Sequence, residues 1–301
     1  MAARRSAVLL LGQLLLAAMV ALALAVASPL KASAVAGLTV AELGGGALLL
    51  AIAPLVLGES MAPSRRFSGR IGHLPRALCR DAFALEVALG RMALEPWRAP
   101  PDTLAGGPLP PHPILLVHGI ACNRAVWWPL LTRLRAAGVG PVRAVSLEPL
   151  FADIEAYATG LLPELDALTS LGGGRAITIV AHSMGGLVAR AALRRARPGL
   201  IGRIITLGTP HHGTALACPF RWPNTRQMCP GSGWLTELNA CQEDRLDIPV
   251  TTLYSLDDNY VIPAESARFR GTRAIELHGL GHLSLLESKR VLEHVMSEIL
   301  S

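Results

Sequence analysis

The chain has 301 residues, 51% of them hydrophobic, and a net charge of +6. That length fits one α/β domain plus an accessory segment and excludes a single minimal domain. Five cysteines are too few for a disulfide scaffold, and no Cys/His cluster has the spacing of a structural zinc site.

The apolar excess is concentrated at the front. Residues 6–27 read SAVLLLGQLLLAAMVALALAVA, uncharged and long enough to cross a bilayer as a helix. Arg4 and Arg5 precede them. The run exceeds the roughly 7–15 apolar residues of a signal peptide, so an uncleaved anchor is expected, although Ala32-Ser33-Ala34 offers a cleavage site. A second apolar stretch, residues 35–57, carries Glu42, Gly44-Gly45-Gly46 and Pro54. It reads as a second span, or else as a re-entrant or interfacial helix. Residues 1–58 are thus expected to form a membrane anchor of one or two transmembrane helices.

Residues 59–101 follow with seven arginines against four acids, whereas the remaining chain is nearly neutral. Basic charge beside an apolar segment suits an anionic leaflet and argues against nucleic acid. With two spans, positive-inside logic puts the remaining chain in the cytoplasm; with one, it faces out. Residues 74–94 read as a helix with apolar positions Leu78, Phe83, Leu85, Leu89 and Met92. It lies on the membrane surface or packs on its own domain. The Pro/Gly-rich PWRAPPDTLAGGPLPPHP then closes a linker region, residues 59–111.

From residue 112 to 301, short apolar runs alternate with helical stretches. Strands are predicted at 114–117, 142–145, 177–180, 204–207, 250–254 and 274–277. Helices are predicted at 125–137, 154–170, 186–196 and 285–300. Apolar four-residue strands separated by helices imply a mostly parallel sheet covered on both faces, an α/β fold.

The chemistry centres on VAHSMGGLVARAAL, residues 180–193. Ser183 falls at a strand–turn–helix corner, where a hydroxyl projects above the sheet from a strained backbone. Neighbours two positions away must be small, and Ala181 and Gly185 are. The helix that follows points its N-terminus at the corner and favours an oxyanion. A nucleophilic serine needs a base. His282, in the glycine-rich loop after the last predicted strand, is preferred over His278, which abuts that strand. The base needs an orienting carboxylate. Asp258, in YSLDDNYVIP, is the choice, and Asp257 the alternative. Oxyanion donors are expected in the backbone N–H groups of Met184 and Ile120, the latter in the loop V-H-G-I after the first strand. His118, His211 and His212 read as loop-shaping residues.

Together HGI, VAHSMGG, LGTPHHGT, YSLDDNYVIP and GLGHLSLL resemble, in order, the α/β-hydrolases of the bacterial triacylglycerol lipase and esterase branch, especially small lipases without a large cap. The resemblance covers residues 112–301. It implies an α/β-hydrolase fold, no cofactor, and hydrolysis of lipid or other acyl esters. It carries triad roles to Ser183, Asp258 and His282, and oxyanion roles to Ile120 and Met184. Alanine at position 181 is a departure that small lipases share. Residues 214–234, with two tryptophans, fall where a lid or acyl-pocket rim would form, or else are a surface loop. Cys218 and Cys229 bracket part of that loop and either pair or stay free. The residues suit acyltransferase, thioesterase or amidase chemistry as well. A catalytically silent membrane binding module is the competing class. The expectation is a membrane-anchored serine ester hydrolase at a bacterial inner membrane, with lipid as substrate and no nucleic-acid partner.

Overall fold

The structure is a computed structural model and describes residues 74–98, 102, 113–243 and 246–301. The expected membrane anchor, residues 1–58, and the basic stretch up to residue 73 lie outside the described residues. Among the described residues no helix is long and apolar enough to cross a membrane.

Six parallel strands form one sheet: β1 (Ile114–Val117), β2 (Val142–Val145), β3 (Ile177–His182), β4 (Ile201–Leu207), β5 (Val250–Ser255) and β6 (Arg273–Leu277). Their order is β2-β1-β3-β4-β5-β6. Every residue of β1, β3 and β5 is buried, as a parallel sheet with both faces covered requires. β1 pairs with β2 on one side and β3 on the other. The chain therefore winds first one way from β1 and then the other. That switch lies beyond the carboxyl ends of β1 and β3, where open α/β sheets place their ligands.

Two apolar layers flank the sheet. On one face, α3 (Ile154–Leu171) and α4 (Met184–Arg195) pack their aliphatic residues against Leu115, Ile177 and Ile179. On the other, α2 (Trp128–Ala136), α7 (Ser284–Glu287) and α8 (Lys289–Leu300) cover Ile114, Leu116, Val180 and Ile205. Between them α5 (Pro223–Met228) and α6 (Gly233–Gln242) fill the β4–β5 connection. The helix expected over 285–300 is broken at Ser288, whose extended backbone (ψ 119°) separates α7 from α8. The helix expected over 125–137 begins with a 3-10 turn, Arg124–Trp127.

The remaining helix, α1 (Leu74–Arg98), precedes β1 and packs on this domain. Its large apolar residues are divided: Leu85 and Met92 pack against the layer of α2 and α8, and others face outward. Leu78 and Phe83 are exposed, and so are Leu94 and Trp97. Ala77, Asp81, Ala84 and Ala88 are buried instead, at the i, i+4, i+7, i+11 spacing of one helix face. Small residues let the helix axis come close, and Ala84 and Ala88 join the layer of α2 and α8. Asn123 Nδ2 donates to the Met92 carbonyl (3.1 Å), and Arg91 pairs with Glu287. Asp102, in the Pro/Gly-rich segment, accepts from Ala144 N–H (3.1 Å) and pairs with Arg124.

Candidate active site

β3 delivers the serine. Ser183 sits directly after it and begins α4 with φ 55° and ψ −130°. A non-glycine residue there stores about 1–3 kcal/mol of strain, which the surroundings must hold. Two backbone bonds hold it: Ser183 N–H donates to Leu207 O (2.9 Å), and Ser183 O accepts from Gly186 N–H (3.0 Å). The neighbouring residues are small for reasons visible in the packing. A Cβ on Gly185 would lie 2.5 Å from the carbonyl oxygens of Val117 and His118. One on Gly186 would lie 2.1 Å from Thr209 Oγ1. Ala181 is fully buried in β3, between Val117 of β1 and Thr206 of β4.

The loop after β1 abuts the serine, since a Cβ on Gly119 would fall 2.7 Å from Ser183 Cβ. Ile120 follows it in this loop, and Met184 is the first residue of α4. His118 locks the loop from below. Its Nε2 accepts from Leu147 N–H (2.9 Å), so Nδ1 carries the proton and donates to Gly119 O (2.7 Å). Burial lowers its pKa to about 4, the Gly119 bond opposing, and keeps it neutral.

His282 Nδ1 lies 2.8 Å from Asp258 Oδ2. The other carboxylate oxygen, Oδ1, accepts from Tyr260 N–H (2.8 Å) and Val261 N–H (2.9 Å). Both side chains are almost wholly buried. Burial by itself would lower the His282 pKa; the charge and hydrogen bond of Asp258, then the charge of Asp81, overcome it and raise the pKa above the ordinary 6.5. With Nδ1–H committed to Asp258, the Nε2 lone pair of neutral His282 is left to act as a base.

The alternatives have other partners. Asp257 Oδ2 accepts from Gly279 N–H (2.6 Å) and so clamps the histidine loop. His278 is half exposed beside Glu276. His211 is buried, with Nε2 3.1 Å from Thr206 Oγ1 and Nδ1 3.3 Å from Arg190 Nη1. His212 faces Glu243 and Asn239. Arg190 is fully buried in α4. It donates to Gln242 Oε1 (2.9 Å) and Asn239 Oδ1 (2.8 Å) and lies over the Phe269 ring. The TPHHGT turn is therefore a scaffold tied to the serine-bearing helix.

Cys218 and Cys229 form a disulfide. The loop it closes carries Phe220 and Trp222, which stack on each other, and Trp222 stacks on Phe151 of the β2–α3 loop (centroids 4.0 Å, 9° between planes). Thr214 and Ala215 bond this loop to Tyr260 O and Ile262 O, beside Asp258.

A family model described as the PGAP1-like alpha/beta domain matches residues 166–224, which include Ser183. A curated triacylglycerol lipase of Burkholderia plantarii is 28% identical over 134 residues, covering 42% of this chain and 36% of that protein. The chain thus spans about a third of the length of that relative. Among solved structures, Bacillus licheniformis lipase BlEst2 in its propeptide form superposes with a TM-score of 0.56 at 20% identity, over 68% of this chain and 53% of that one. Its mature form gives 0.52 at 18%, over 67% and 94%. The chain has the α/β-hydrolase fold. Aspergillus fumigatus lipase B shares it at a TM-score of 0.51 and 20% identity, over 58% of this chain and 49% of that one.

Within this fold, motif reading missed the residues around the histidine. Asn259 Oδ1 accepts from His282 N–H (3.0 Å), and the Tyr260 ring stacks on the imidazole (centroids 5.1 Å). Both belong to YSLDDNYVIP, but hydrogen-bond partners leave no periodic trace. Asp81 was missed as well. Its signal was present: a lone acid on a stripe of alanines, Ala77, Ala84 and Ala88.

Proposed function

We propose that this chain is a serine ester hydrolase acting on acyl esters of the lipase and carboxylesterase class. The observation that carries the proposal is the buried His282–Asp258 pair at the mouth of the same sheet whose third strand ends in a strained serine. The lipases to which the chain is similar support ester chemistry.

In the proposed mechanism Asp258 fixes the tautomer and orientation of His282. His282 Nε2 takes the proton of Ser183 as Oγ attacks the acyl carbonyl carbon. The tetrahedral oxyanion forms against the N–H groups of Ile120 and Met184, with the N-terminus of α4 adding its dipole. His282 gives the proton to the leaving alcohol. Water, activated by the same base, then attacks the acyl-enzyme and releases the acid and free Ser183. The Phe151–Trp222–Phe220 stack, an apolar surface joined to the Asp258 loop, forms the rim that meets the acyl chain.

Membrane anchoring is part of the proposal. It rests on the uncharged residues 6–27 and on Phe83, Leu94 and Trp97 of α1, which present apolar surface to the outside. The Cys218–Cys229 bond belongs in an oxidising compartment. It favours one span, with the catalytic domain on the outer side of the membrane.

Turnover of nitrophenyl esters of graded chain length by the full-length protein in detergent tests this reading. Wild type should hydrolyse them and Ser183→Ala should not, with its melting temperature unchanged. Equal turnover by the two proteins would refute it.

A further inference from the structure

Asp81 belongs to a helix that precedes the sheet, yet it reaches the histidine loop. Its carboxylate is buried, and Oδ1 accepts from Ser284 N–H (2.8 Å), two residues after His282. The Asn259 side-chain amide interacts with the same carboxylate, while Asn259 Oδ1 accepts from His282 N–H (3.0 Å). Asp81 thus grips the loop on both sides of the imidazole, once directly and once through Asn259. The approach is close enough to dictate the sequence of the loop. A Cβ on Gly281 would sit 2.6 Å from Asp81 Cβ and Cγ and 2.7 Å from Oδ1. The glycine before His282 is therefore where the helix touches the loop. Arg80 Nη1 adds a bond to Gly279 O (3.0 Å), and Arg91 pairs with Glu287 farther along.

We propose that Asp81 is a positioning residue for His282: it fixes the loop that carries the imidazole and sets a second negative charge behind it. This rests on the hydrolase reading above. Among the described residues Asp81 has no ion-pair partner; a buried carboxylate in that setting is costly, and a chain that needed only to hold Ser284 N–H could use a neutral acceptor. Burial raises the Asp81 pKa, while the bond from Ser284, the charge on His282 and the Asn259 bond oppose that rise, and the charge on Asp258 adds to it. Charge on Asp81 and charge on His282 favour each other. The groups that face His282 are Asp258 and Tyr260 from the β5–β6 connection, His182 at the end of β3, and Asp81 from α1. Asp257 and Arg80 act on the same loop through Gly279. Of the carboxylates near the ring, Asp258 binds Nδ1, and Asp81 contributes charge and backbone grip alone.

Two variants separate grip from charge in the full-length protein. Asp81→Ala removes both. Its kcat on a soluble nitrophenyl ester should fall about 10- to 100-fold with little change in KM, as expected for a misplaced base. Asp81→Asn keeps an acceptor for Ser284 N–H and loses the charge. Its acid limb of kcat/KM should move to lower pH, with a smaller loss of kcat. The His282 imidazole titration, followed by NMR in wild type and Asp81→Asn, should move the same way. That titration is read whether or not the wild type turns over an ester, so it separates failure of this proposal from failure of the hydrolase reading. A merely structural Asp81 would lower the melting temperature and leave the titration in place. Wild-type kcat in Asp81→Ala, or an unmoved His282 titration in Asp81→Asn, overturns the proposal.

Discussion

Asp258 holds His282 with one carboxylate oxygen and its own loop with the other. Oδ2 lies 2.8 Å from His282 Nδ1, while Oδ1 accepts from Tyr260 and Val261 N–H. Neither oxygen is free to rotate away. Asp258→Asn should preserve the loop but present the wrong partner to Nδ1–H. A kcat loss on the order of 10⁴-fold is expected. Asp257→Asn keeps an acceptor for Gly279 N–H and should lose less than about tenfold. Steady-state kinetics of the two variants would reverse the assignment if Asp257→Asn were the crippled one.

Activity and stability should both fall on the acid side, for different histidines. His282 must be neutral to act as a base, and its pKa is raised above 6.5. The acid limb of kcat/KM should therefore lie above pH 6.5. For stability, His282 has the opposite sign to its neighbours. Its folded pKa is raised, so its contribution is complete below the unfolded pKa and is lost as pH rises through the folded value. Burial lowers the pKa of His118 to about 4 and holds His182 and His211 well below 6.5. These three stabilise above the unfolded pKa and lose that contribution as pH falls below it, toward about 4 for His118. Asp81, whose pKa burial raises, acts in the same direction as His282; the three buried neutral histidines are predicted to set the trend, so the urea midpoint should be lower at pH 5 than at pH 7. An unchanged midpoint would show that these histidines are not buried neutral.

Two glycines on helices predict opposite outcomes. Gly185→Ala places a Cβ 2.5 Å from two backbone oxygens of the β1 end, which cannot yield without moving the strand. More than about 2 kcal/mol of stability should be lost, together with activity. Gly160 lies within α3 with nothing near its Cβ position. Gly160→Ala should gain about 0.5–1 kcal/mol. Chemical denaturation of both variants checks the pair; equal effects would mean that the serine corner is not tightly packed.

The sheet was legible in the sequence because buried parallel strands are short apolar runs, and all six were anticipated where they occur. Edges moved where propensity is silent. β3 extends to His182 because that residue still pairs with Leu207 of β4. The serine corner was legible because its small residues mark it. The choice of Asp258 over Asp257 rested on neighbours in the sequence; the geometry now gives each carboxylate its own partner. The apolar positions of α1 divide: Leu85 and Met92 pack on the domain, while Leu78 and Phe83 are exposed. Large apolar residues suggest burial, but here the close approach of a helix to the histidine loop selected alanines and placed Phe83 outside. The Asp81 contact bridges about 200 residues of chain; the alanine stripe marks the close face of the helix, but nothing local encodes its partner on the histidine loop.

The Cys218–Cys229 bond closes a short loop that carries two of the three stacked aromatics. A double Cys218→Ser, Cys229→Ser variant should lose about 2–4 kcal/mol of stability. It should also lose turnover of long-chain esters more than of short ones, because the aromatic rim loosens. Thermal melts and a chain-length series check both. Uniform loss across chain lengths would detach the rim from acyl binding.

In the proposed mechanism Ser183 is a nucleophile activated by His282. The most direct measurement is mass spectrometry of the full-length protein after reaction with a fluorophosphonate probe. One adduct is predicted, on the peptide containing Ser183, absent in Ser183→Ala and strongly slowed in His282→Ala. An unlabelled Ser183, or an adduct on another residue at the same rate in all three proteins, would contradict the account.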